Sequence, residues 1–126
     1  MFGKKKASNA LRVIHYEGLP NFNQDFPCTL TNDGINLIFE TQTGNKVNLP
    51  ISKVNQIERM PELNFMGKYH NNALTTAKSG VKWFTVIHYQ SSKGSDEYIA
   101  IWTVDFKSAK FFEEIESQLS TSEINL

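Results

Sequence analysis

Residues 81–119 run VKWFTVIHYQSSKGSDEYIAIWTVDFKSAKFFEEIESQL, a strand–turn–strand–helix pattern from which the rest of the fold follows. Val81 to Gln90 and Asp96 to Phe106 are dense in β-branched and aromatic residues, which pack well on a pleated surface. The polar, glycine-containing SSKGS between them reads as a turn, so the two segments predict a long hairpin. Immediately afterwards the period changes. Ser108, Phe111, Phe112, Ile115 and Leu119 recur at spacings of three and four, while Glu113, Glu114 and Glu116 project elsewhere. This is an amphipathic helix whose first turn Ser108 or Asp105 would cap through a side-chain oxygen. Its apolar stripe requires a sheet to cover.

The earlier sequence supplies that sheet. In FPCTLTNDGINLIFET, Phe26, Cys28 and Leu30 alternate with Pro27, Thr29 and Thr31, and beyond Asp33-Gly34 the alternation resumes as Ile35, Leu37 and Phe39 against Asn36 and Glu40. Gly34, or Asn32 and Asp33 beside it, is suited to the positive φ that a tight hairpin turn requires. A second turn at Thr43 to Asn45 leads into Lys46 to Leu49, and beyond a kink at Pro50 the residues Val54 and Ile57 carry a further strand. Strands are thus expected near residues 11–17, 26–31, 35–41, 46–49, 54–60, 81–90 and 96–106, followed by one helix. That order predicts a mainly β, α+β domain or a small barrel with a capped end.

The tetrapeptide VIHY occurs twice, at Val13 to Tyr16 and at Val86 to Tyr89. Each copy lies within a predicted strand, with Val and His on one face and Ile and Tyr on the other. The flanks share nothing, so the expectation is two strands filling similar half-buried environments rather than a duplication. Pro61 to Gly80, in contrast, shows no clear period and is long for a plain connection. It reads as a binding loop, an insert, or a strand around Leu63 to Tyr69. Phe65, Met66, Tyr69 and His70 are its candidate partner-binding residues, with coverage of one end of the barrel as the competing role.

Composition narrows the function. A chain of 126 residues fits one domain, here residues 10–120, between a basic arm at 1–9 and a polar tail at 121–126, both expected to be flexible. Thirteen Lys and Arg balance thirteen Asp and Glu, which argues against a nucleic-acid binder, since such proteins carry a basic excess. The lone Cys28 has neither a disulfide partner nor a C-x-x-C pattern and sits in an apolar alternation, so it is expected to be buried and inert in a reducing, cytoplasmic setting. No apolar run is long enough for a membrane span or a signal peptide.

His15, His70 and His88 lack metal-ligand spacing, and there is no G-x-S-x-G, phosphate loop or paired-carboxylate pattern. The expectation is no catalytic residue, no metal and no cofactor. One local charge cluster stands out: MFGKKK places Phe2, Lys4, Lys5 and Lys6 on the arm, where they are candidates for weak contact with an anionic membrane, at about 1 kcal/mol per basic residue. A solvated arm is the favoured reading of the two.

Taken in order, YEGLPNF, CTLTNDGINLIF, VNLPISKVNQI and VIHYQSSKGSDEYIAIWTVDF ahead of AKFFEEI resemble uncharacterised bacterial members of the pleckstrin-homology-like (PH-like) family over roughly residues 11–119. The resemblance implies a partly open seven-stranded barrel of two antiparallel sheets capped by one C-terminal α-helix. It also implies a binding module for phosphoinositides, peptides or proteins. Phosphoinositide-binding members place Lys and Arg on the first two strands and the loop joining them, because phosphates need convergent cationic donors. Here that loop, EGLPNFNQDF, holds no Lys or Arg and carries Glu17 and Asp25, so a phosphoinositide ligand is disfavoured.

The leading expectation is a cytosolic module that takes a protein or peptide in the groove between the terminal helix and an exposed strand edge. The alternative is peripheral membrane association through the arm, aided by self-association at a free strand edge. A small-molecule carrier would need an apolar pocket lined by residues such as Trp83, Phe84 and Trp102.

Overall fold

The computed structural model of the protein describes residues 10–71, 82–104 and 108–120. The basic arm, residues 72–80 of the long connection, residue 81 of the sixth expected strand, residues 105–107 with the candidate cap Asp105, and the tail lie outside the described residues. Among the described residues are seven strands, β1 (Ala10–Glu17), β2 (Phe26–Asn32), β3 (Asn36–Glu40), β4 (Lys46–Pro50), β5 (Val54–Pro61), β6 (Trp83–Gln90) and β7 (Asp96–Thr103). Two α-helices accompany them, α1 (Glu62–Tyr69) and α2 (Ser108–Ser120).

The strands form one antiparallel sheet in the order β4-β3-β2-β1-β7-β6-β5, so the β1–β7 ladder joins what the resemblance implied as two sheets. The two outermost strands, β4 and β5, are separated along the chain only by a 3-10 turn at Ile51–Lys53. Three residues at about 2 Å each cannot cross a flat seven-stranded sheet, whose strands lie nearly 5 Å apart. The sheet therefore curls until its edges meet at that corner. Among the described residues no ladder links β4 to β5, and the barrel stays open along this seam.

Curling gives the sheet an inside, filled by Val13, Leu30, Leu37, Phe39, Ile57, Ile87, Ile99 and Ile101 from the strands and by Phe111, Phe112 and Ile115 from α2. A fully buried side chain of this size contributes on the order of 1.5–3 kcal/mol, so this cluster is the main source of stability. Both ends of α2 are pinned. Arg59 on β5 donates through Nη2 to the buried Ser108 Oγ at 3.0 Å, and its guanidinium lies 5.5 Å from the Phe112 ring centre. At the other end Gln118 accepts from Asn32 Nδ2 at 2.9 Å and donates to the Gly34 carbonyl at 3.3 Å.

A second, smaller core lies on the outer face of β5, β6, β7 and β1. Phe84, Val86 and Ala100 are covered there by Phe65 and Met66 of α1. This corrects the expectation of a loop or strand: the first part of the long connection is a helix. Phe65, Met66 and Tyr69 sit at helical spacing, Glu62 lies favourably in the first turn, and Pro61 stands at the N-cap. Eight residues without a following helical pattern are too few to register as a period, and packing stabilises the helix.

Two smaller expectations also change. Ile35 is not a strand residue: Asp33 Oδ1 accepts from the N–H groups of Ile35 and Asn36, which holds Ile35 in the turn at 73% exposure. The two VIHY copies occupy opposite environments. In β1 Val13 joins the inner core and His15 is buried while Tyr16 faces α1; in β6 Ile87 and Tyr89 pack inward while Val86 belongs to the outer core.

Candidate functional site

The β1–β7 register determines what faces α1. Strict alternation would send Glu17 to the same face as Val13 and His15, into the apolar interior. The pairing instead runs His15 to Ile101 and then Glu17 to Ala100, a bulge that adds one residue to β1. Glu17 thereby stands opposite an outer-core residue, and its Oε2 accepts from Tyr98 OH at 2.6 Å and from His70 Nε2 at 2.9 Å.

A second carboxylate does the same from β5. Glu58 takes Lys68 Nζ on Oε2 at 2.6 Å, while its Oε1 accepts from Tyr69 OH and lies 3.0 Å from His88 Nε2. The Lys68 hydrogen bond, reinforced by those of Tyr69 and His88, holds the Glu58 carboxyl down at about 2. Burial, with the Glu58 hydrogen bond second, pushes the Tyr69 phenol well above its usual range. Acceptor and donor are each kept in the protonation state that their hydrogen bond needs, so the arrangement clamps α1 to the sheet.

The four candidate partner-binding residues are therefore brought together as follows. Phe65 is wholly buried, its ring stacked 4.3 Å from that of Phe84. Met66 is 8% exposed and receives Tyr16 OH on its sulfur at 4.0 Å. Tyr69 is partly exposed and His70 is exposed, and they are tied to Glu58 and Glu17 respectively. The sequence pointed to Glu17 only as an acidic residue of the β1–β2 loop and did not single out Glu58; a glutamate inside an otherwise half-buried strand was the available signal. The membrane candidates Phe2, Lys4, Lys5 and Lys6 lie outside the described residues.

His15 organises the loop between β1 and β2. Its Nε2 accepts the Leu19 N–H at 3.1 Å, which leaves Nδ1 to carry the proton that it donates to the Asn23 carbonyl at 2.8 Å. Burial lowers its pKa below the ordinary imidazole value of about 6.5, so the folded loop requires neutral imidazole. An unfolded chain takes up this proton near pH 6.5, and the contribution is whole above that value and is lost as the pH falls below it. We predict that the intact chain loses stability between pH 7.5 and 5, and that His15→Gln flattens this slope because an amide does not titrate. Thermal melts of both proteins across the range check this; parallel slopes would show that His15 does not carry the effect.

The groove beside α2 is the surface that geometry prepares best. β5 pairs with β6 on one side and has no strand on the other among the described residues. There, next to the free edge, Ile51, Ser52, Val54, Asn55, Gln118 and Leu119 line a depression of about 300 Å³. A separate cavity of about 370 Å³ opens between the β1–β2 loop, β4 and the turn after β6. It is not lined by Trp83, Phe84 or Trp102. Trp83 flanks Arg59, Phe84 is buried under Phe65, and Trp102 donates to Asp25 Oδ1 at 3.0 Å.

Cys28 is buried, and burial pushes its thiol up to about 11. Among the described residues no three His, Cys, Asp or Glu side chains are placed to hold a metal, and no helix is long and apolar enough to cross a membrane. No protein-family model and no curated protein matches the chain.

Proposed function

We propose that the chain is a non-catalytic PH-like interaction module of the cytosol that binds an extended peptide segment of a protein partner along β5. Seven antiparallel strands that curl without closing, followed by a C-terminal helix, support the PH-like reading: the resemblance implies a partly open seven-stranded barrel capped by one such helix, and the departure is that the strands here form one sheet rather than two. The observation that carries the binding role is the free edge of β5 beside α2. An edge strand offers unpaired N–H and C=O groups in register with any extended chain, and a neighbouring groove accepts its alternate side chains.

Pinning of α2 by Arg59 and Gln118 fixes the groove before a peptide arrives, which lowers the ordering cost of binding. The non-catalytic reading draws on the buried thiol and on the histidines, each of which is engaged with the fold.

Selection of peptides from a random display library on the intact chain tests the proposal. Binders are expected to weaken more than tenfold on Ser52→Trp, which fills the groove from the exposed 3-10 turn without entering the core. Flotation with anionic liposomes, with and without residues 1–9, reads out the membrane alternative. Flotation that depends on those residues, together with no peptide selected, would overturn the proposal.

A further inference from the structure

We propose that the cavity between the β1–β2 loop, β4 and the turn after β6 binds a medium-chain carboxylic acid, with its alkyl chain against Leu19, Leu49 and Ile99 and its carboxylate on Lys53. All three apolar residues are buried members of the inner core, so the cavity is an extension of that core to the surface. Val47 and Tyr89 continue the apolar wall. A volume of about 370 Å³ lies at the small end of ligand sites, which span about 300–1,000 Å³. At about 30 Å³ for each heavy atom, the share of a liquid water, it has room for about twelve.

Charge selects the head group. Lys53 is the only charged residue among those lining the cavity, it is exposed at the rim, and it makes no ion pair among the described residues. The acids that face lining residues across the β6–β7 ladder, Glu97 opposite Tyr89 and Asp96 opposite Gln90, do not themselves line the cavity, and Glu97 accepts from Ser95 Oγ at 3.2 Å. A single cation over an apolar cleft complements one anionic head on an apolar chain, whereas a multiply charged phosphate ester would need several donors. The site is distinct from the β5 groove: Lys53 belongs to the cavity, while Ile51 and Ser52 of the same turn face the groove.

Decanoate and decanol, each kept below the concentration at which it aggregates, are the probes, titrated into the intact chain by calorimetry and by amide chemical shifts. Saturable decanoate binding is expected, with the largest shifts at Leu19, Leu49, Tyr89 and Ile99. Lys53→Ala is expected to weaken decanoate about five- to tenfold, as for a partly solvated ion pair, and to leave decanol unchanged. Absence of saturation, shifts centred on α2, equal effects of the variant on both probes, or tighter binding of a peptide carboxyl terminus at these residues would each overturn the proposal.

Discussion

Gly18→Ala is expected to destabilise the fold by on the order of 3–5 kcal/mol, a large part of the 5–15 kcal/mol available to a domain of this kind. Gly18 follows the β1 bulge with φ at +110°, a conformation that costs a residue with a side chain, and its back lies on β7. A Cβ there would stand 2.4 Å from the Tyr98 carbonyl oxygen and 2.8 Å from the Ile99 Cα. Both obstacles are backbone atoms of a strand held between β1 and β6, so neither can swing aside. Gly34→Ala is the internal control. Gly34 has φ at +92° but nothing within 4 Å of a built Cβ, so the backbone penalty stands alone at about 1 kcal/mol. Urea unfolding of both variants separates the contributions, and equal losses would show that β7 does not press on Gly18.

Phe65→Ala is expected to cost about 3–5 kcal/mol and to release α1 from the sheet. The ring is fully buried, stacks on Phe84 and meets Tyr16 edge-on at 5.6 Å, so truncation leaves a cavity in the middle of the outer core. An eight-residue helix has no stability of its own, and hydrogen bonds from Lys68 and Tyr69 to Glu58 would not hold it alone. Leu63, on the same helix but 36% exposed, should tolerate alanine within about 0.5 kcal/mol. Unfolding midpoints with hydrogen exchange of the α1 amides check the pair. If Phe65→Ala were as mild as Leu63→Ala, α1 would not be a structural cover.

The seven strands were legible because alternation is written locally. Cys28 and Leu30, or Leu37 and Phe39, announce a face wherever the strand ends up. The change of period at Ser108 announced α2 for the same reason. What stayed hidden depends on pairing between distant segments. Nothing near Glu17 says that a bulge will turn it towards α1, because the bulge exists only in the ladder with β7. Nothing in the second VIHY says that it is inverted relative to the first, since alternation fixes which residues share a face and not which face is inward. The groove was foreseen only as a helix beside a strand edge; the three-residue link between β4 and β5 is what identifies β5 as that edge.

Amide chemical-shift mapping of the intact chain with a selected peptide would locate the bound segment on the fold. The expected result is that the largest shifts and new exchange protection fall on Val54 to Arg59 of β5 and on Gln118 and Leu119 of α2, with intermolecular contacts between backbones as in an added strand. Shifts confined to the β1–β2 loop or to the exposed side of α1, with β5 unchanged, would contradict it.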